Sequence, residues 1–161
     1  MEPFQAAREL AAQKLRIADH ILTATYPLVK DPRLLVAVMD NIFLSLSHGM
    51  TAALHYERQR NRIPAFADTF EAKFRLFREE VMPRYRLNPD YASLLQGTKE
   101  LILERKRSPM EFARKDCYVI CSEGYRTRTV SIQEMKQLIG KARVFIQEIT
   151  HITAKHEYPS R

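Results

Sequence analysis

Apolar residues recur at three- and four-residue spacing along most of the chain, the pattern of helices that bury one face. Ala7, Ala11, Leu15, Ala18 and Leu22 form one such stripe and predict a first helix from Pro3 to about Thr25, ended by Pro27. Phe70, Phe74, Phe77 and Val81 predict a helix over Thr69–Met82. Tyr91, Leu94, Leu95, Leu101 and Ile102 predict another over Pro89–Arg107. A last helix, from Ile132 to about His156, carries Met135, Leu138, Ala142, Phe145, Ile149 and Ile152.

The second helix, predicted from Pro32 to about Arg60, is different. Leu34, Leu35, Val36, Val38, Met39, Ile42, Phe43, Leu44 and Leu46 leave almost no polar face over its first three turns. A helix apolar all round is buried all round, so this one is either central to its bundle or shared with another subunit. The size of the apolar surface favours sharing: a homodimer through this helix, or through it and the first, with Leu35, Val38, Met39, Ile42 and Leu46 at the interface. Farther along, Gly49, Ala52 and Ala53 would let another backbone approach closely.

Start signals support these boundaries. Asp31-Pro32, Asn88-Pro89 and Ser108-Pro109 each place a capping residue before proline. Asp68/Glu71, Ser108/Glu111 and Ser131/Glu134 have capping-box spacing, and Val130 and Met135 occupy staple positions around the last. Between the last two helices the period changes. Cys117–Cys121 is a β-favouring run and Arg126–Val130 a second, predicting a short hairpin or extended flap (residues 115–130) around Gly124. The expected fold is therefore all-α: an antiparallel bundle of about five helices with this flap before the last, in one domain over residues 1–161, without internal repeat.

Composition agrees. There are only 4 Gly in 161 residues, and 45% hydrophobic with 28% charged residues is too apolar for disorder. A chain this long buries roughly 70% of its unfolded surface and needs no staples. Two cysteines fit a reducing cytosol rather than a disulfide scaffold. The longest stretch without Asp, Glu, Lys or Arg, Asn41–Tyr56, falls short of a membrane span, and no apolar run follows Glu2 as a signal peptide would require. A cytoplasmic protein without membrane contact is expected.

Candidate chemistry is sparse. Glu148 and His151 form half of the Glu-x-x-His pattern of di-iron bundles, with no second copy. His20, His48 and His55 could complete a mononuclear site but lack ligand spacing, so a metal-dependent enzyme is the weakest reading and no metal or cofactor is expected. Cys117 and Cys121 share one side of an extended strand, where packing suits them better than zinc. No phosphate loop or nucleophile elbow occurs, and no catalytic residue is assigned.

What remains is charge: 26 Lys+Arg against 19 Asp+Glu, a net +7. The basic clusters Arg58/Arg60/Arg62 and Arg105/Lys106/Arg107 suit helix C-termini, where cations complement the dipole. Arg84/Arg86 is a further pair. On the flap, Tyr118 and Tyr125 alternate with Arg114, Lys115, Arg126 and Arg128, a mixture suited to phosphates and stacked bases. Together with Arg105, Lys106 and Arg107 they form the expected nucleic-acid surface. A homodimeric, non-catalytic binding module follows, with RNA or another acidic partner as ligand; the alternative is a protein–protein interaction subunit.

Three segments carry a resemblance: Ala18–Leu35, Ser108–Asp116 and Gly140–Ile149. They resemble a family of archaeal helical proteins to which no activity is attached. More distantly, the long apolar second helix and the terminal helix after a variable connection are similar to the HEPN superfamily. That likeness implies a small helical bundle, typically homodimeric, in ribonucleases, RNA binders and toxin–antitoxin components. The HEPN catalytic motif is Arg, four to six residues, then His. Here Arg16 precedes His20 by too few residues and Arg143 precedes His151 by too many. The resemblance therefore implies binding without catalysis.

Overall fold

The computed structural model describes residues 1–108, 110–114, 116–121 and 126–154. Within them the chain forms five helical rods and a small antiparallel sheet inserted before the last rod. The rods are α1 (Pro3–His20) continued by α2 (Tyr26–Val29); α3 (Leu34–Gln59); α4 (Phe70–Leu76) continued by α5 (Met82–Tyr85); α6 (Asp90–Arg107); and α7 (Ile132–Ala154). The strands β1 (Met110–Arg114), β2 (Cys117–Cys121) and β3 (Thr127–Ser131) pair in sequence order. The all-α bundle with a short β insertion is thus the fold.

Pro27 does not end the first rod, contrary to the expectation. A wide five-residue turn, Ile21–Thr25, precedes it, and the Tyr26 N–H donates to the Ile21 carbonyl five residues back. Phe77–Val81 does the same before Pro83, with the Met82 N–H donating to the Phe77 carbonyl. A proline inside a helix lacks a donor and crowds the carbonyl four residues earlier; the wider turn gives the ring room. Both rods then stop at a left-handed residue, Lys30 (φ 56°) or Arg86 (φ 51°). Asp31 and Asn88 follow, their side chains accepting from the N–H groups of Arg33 and Asp90. One helix-ending device is used twice, each time with a proline, a basic residue three positions on and then an Asx-Pro pair.

Two start signals also move. Thr69 rather than Asp68 caps α4, its hydroxyl accepting from Ala72 N–H at 3.2 Å. Ser108 starts no helix: it ends α6, its hydroxyl donates to the Cys121 carbonyl at 2.6 Å, and Glu111 lies on β1. Strands β2 and β3 pair as the expected flap requires, its turn around Gly124 lying outside the described residues, whereas β1 adds a strand that the expectation omitted. The Ser131 cap holds, since its hydroxyl accepts from Glu134 N–H, and the staple residues Val130 and Met135 are buried beside it.

The second helix of the sequence reading, α3, is the central rod. It packs against α1, α4, α6 and α7. Leu35, Val38, Met39, Ile42 and Leu46 are each 0% exposed within the single chain. That corrects the interface assignment. These five side chains are covered by their own neighbours and offer nothing to a second subunit, because the surrounding rods suffice to sheathe the central one. By length and composition α3 could cross a membrane, but the same grease is what a core helix requires. The expected close approach does occur, inside the chain: a methyl at Gly49 would lie 2.6 Å from Ile146 Cδ1 on α7. The Ser45 hydroxyl, fully buried, donates to the Ala11 carbonyl and ties α3 to α1.

Candidate anion-binding surface

Of the nine residues expected to bind nucleic acid, the seven that are described do not form one surface. Lys115 and Tyr125 lie outside the described residues. Tyr118 is 6% exposed and sits on the core side of β2 with Ile120, so it offers no ring for a base to stack on. Burial, then a hydrogen bond to Glu111, raises its phenol above the ordinary range. Arg105 is held inward: its Nε lies 3.8 Å from Glu111 and its charge acts on Asp40, whose carboxyl is raised by burial and pulled back by Arg105 and Lys106. Arg128 is exposed but bound to Glu134.

Strand register separates the rest. Arg114 pairs with Cys117 at one end of the sheet, where it lines a cleft of about 500 Å³ with Lys30 and Asp116. At the opposite end Thr127, with Arg126 just before it, faces Cys121, next to the Ser108 contact that brings Lys106 and Arg107 near. Lys106, Arg107 and Arg126 are exposed at that end.

A denser cluster forms elsewhere, from two groups the sequence kept apart. Glu57, in the last turn of α3, is a carboxylate only 1% exposed. Its Oε1 accepts the Tyr85 hydroxyl and lies 3.6 Å from Arg62 Nη1, while Oε2 lies 3.6 Å from Arg84 Nε. Arg62 also donates to the Tyr85 hydroxyl at 3.2 Å. Burial, reinforced by the bond to Glu57, pushes the Tyr85 phenol up to about 12. Beside this network the Arg60 guanidinium lies 3.7 Å from the centre of the Tyr56 ring. Arg58 and Arg86 adjoin it in the chain and are exposed. Two arginines, Arg62 and Arg84, thus meet at one buried acid, with Arg60 over the neighbouring Tyr56 ring and Arg58 and Arg86 beside them in the chain.

The ends of α3 and α5 explain part of this, since cations there complement both helix dipoles. They do not explain the convergence. Arg58–Arg62 meets Arg84–Arg86 only because α4 folds back along α3, a packing that no local pattern encodes. The one hint in the chain is Glu57 immediately before an arginine-rich turn, an acid where the dipole disfavours one.

The remaining large feature is a cleft of about 860 Å³ between α6 and α7. Tyr91, hydrogen-bonded to Glu148, closes one end, and the Arg128–Glu134 pair stands at the other. Burial and that bond push the Tyr91 phenol up to about 12. Glu148 is therefore engaged by a tyrosine, and His151 is exposed. Among the described residues no group of three or more His, Cys, Asp or Glu side chains could hold a metal ion. Compared with protein-family models, curated proteins and solved structures, the chain matches none.

Proposed function

We propose that the protein is a non-catalytic RNA-binding module that holds the phosphate backbone at the arginine pole of α3 and α5. The observation that carries this reading is the meeting of Arg62 and Arg84 at Glu57, with Arg60 on the Tyr56 ring and the exposed Arg58 and Arg86 next to them in the chain. All five are arginine, whose planar fork grips phosphate through two hydrogen bonds and can stack on an unpaired base. Tyr85, itself bonded to Glu57, orients Arg62 before any ligand arrives, which lowers the entropy lost on binding. The net +7 adds long-range attraction. The HEPN likeness, without its Arg–His pair, agrees with binding rather than cleavage.

Fluorescence anisotropy with a labelled single-stranded RNA, repeated over a salt series, tests the reading. Log affinity should fall linearly with log salt. Arg58→Gln with Arg60→Gln should weaken binding about tenfold at low salt and flatten the slope by about 1 to 2, since each lost phosphate contact removes about one unit. Arg62 and Arg84 are left intact because removing either strands a buried charge. No binding at low ionic strength overturns the proposal. Loss of binding in Lys106→Gln/Arg107→Gln/Arg126→Gln, with the Arg58/Arg60 variant unchanged, moves the site to the sheet and overturns the pole.

A further inference from the structure

We infer that the Arg60 guanidinium, backed by the Tyr56 ring, is a platform on which an unpaired nucleobase stacks, so that the pole takes single-stranded rather than duplex RNA. The inference rests on the RNA reading of the pole and adds a base to its phosphates.

Arg60 caps the end of α3, one turn beyond Tyr56 on the same face. Its Cζ lies 3.7 Å from the centre of the Tyr56 ring, and its Nη1 donates to the Tyr56 carbonyl at 3.5 Å. Atoms in van der Waals contact sit about 3.5–4.0 Å apart, so the guanidinium lies flat on the ring. Standing on edge at that distance, it would press its nitrogens into the ring. The other cation–ring contacts among the described residues are wider. Arg8 stands 5.7 Å from Phe4, Arg78 stands 5.4 Å from Phe74, and Lys99 stands 5.4 and 5.3 Å from Phe43 and Phe70.

The ring beneath is sealed. Tyr56 is 2% exposed, with Phe4 set edge-on against it at 5.3 Å. Arg60 itself is half-buried, and because one face lies on the ring, what it exposes is on the side turned away from the ring. An arginine plane is weakly hydrated, so a flat partner displaces loosely held water there. A base on that side completes a sandwich in which two π faces meet one positive charge. No other flat surface competes: among the described side chains no phenylalanine or tyrosine is exposed. Arg58 and Arg62, two residues before and after Arg60, are both exposed, and Tyr85 holds Arg62 in place. Cations therefore flank the platform where the phosphates of a stacked nucleotide would run. A base within a duplex has both faces taken by its neighbours, and only a single strand offers one.

Fluorescence anisotropy with two single strands of about ten nucleotides and equal charge tests the platform: oligoadenylate, and the same ribose–phosphate chain without bases. The native protein should bind oligoadenylate about tenfold more tightly, the effect of one stacked base. Arg60→Lys keeps the charge and removes the plane, and should bring that ratio down to about one with helical content unchanged. Equal affinities for the two strands in the native protein overturn the platform and leave the phosphate reading of the pole standing. A ratio that persists in Arg60→Lys puts the stacked base elsewhere and overturns the platform as well. Failure of both strands to bind at low ionic strength overturns the RNA reading itself, and the platform with it.

Discussion

Glu57 sits beyond the reach of water, beside two guanidinium groups and a phenol. Such an arrangement stabilises only while every partner remains, because a stranded buried charge costs several kcal/mol. Tyr85 and Tyr91 play the same part at two sites, each donating to a carboxylate from a sheltered position. Their phenols, with folded-state values of about 12 against an ordinary 10, stay protonated where the unfolded chain releases its protons. The folded state thus binds more protons between pH 10 and 12. Their contribution to stability is full below pH 10 and is lost as pH rises to 12. Ultraviolet titration should show Tyr85 and Tyr91 ionising last, with Tyr26 and Tyr118 also above the ordinary range, and Tyr85→Phe should remove one of the two latest steps and flatten the alkaline loss of thermal stability. Seven tyrosines titrating together near pH 10 would contradict this.

Among the elements, the helix ends depart most from what residue patterns suggest. Asp68 and Thr69 are both good caps with an acid nearby, and spacing alone favoured Asp68. The chain chooses Thr69, leaving Asp68 to pair with Lys73. Thr69→Ala should therefore cost about 1 kcal/mol in urea unfolding, and Asp68→Ala clearly less; the reverse order would return the cap to Asp68. Ser108–Glu111 shows how a cap signal can mislead. The same residues that could begin a helix instead end α6 and enter β1, where Glu111 reaches Arg105 and Tyr118. Pro27 and Pro83 mislead in the other direction, since a widened turn carries the helix past each of them. In all three cases local chemistry allows two outcomes and packing against α3 or the sheet picks one.

For the molecule as a whole, what covers α3 decides which surfaces are left for partners. Four flanking rods cover it, and Leu46, at 0% exposed, touches no solvent in the single chain. Leu46→Ala should cost about 2–5 kcal/mol, as large-to-small changes in a filled core do, and should leave the oligomeric mass unchanged. A change of mass with little loss of stability would restore Leu46 to an intersubunit surface. The surfaces that do remain open lie elsewhere, at the arginine pole and in the α6–α7 cleft.

Periodicity by itself determined the helical class, the five rods, the hairpin before the last of them and the burial of α3, because a stripe or an all-apolar helix states which side must leave water. The net charge likewise followed from counting. Tertiary structure alone decided what buries each face, since burial is equally satisfied by a sister helix or a second subunit. It also decided which arginines meet, because Arg84 becomes a neighbour of Glu57 and Arg62 only when α4 returns along α3, and no spacing along the chain records that distance.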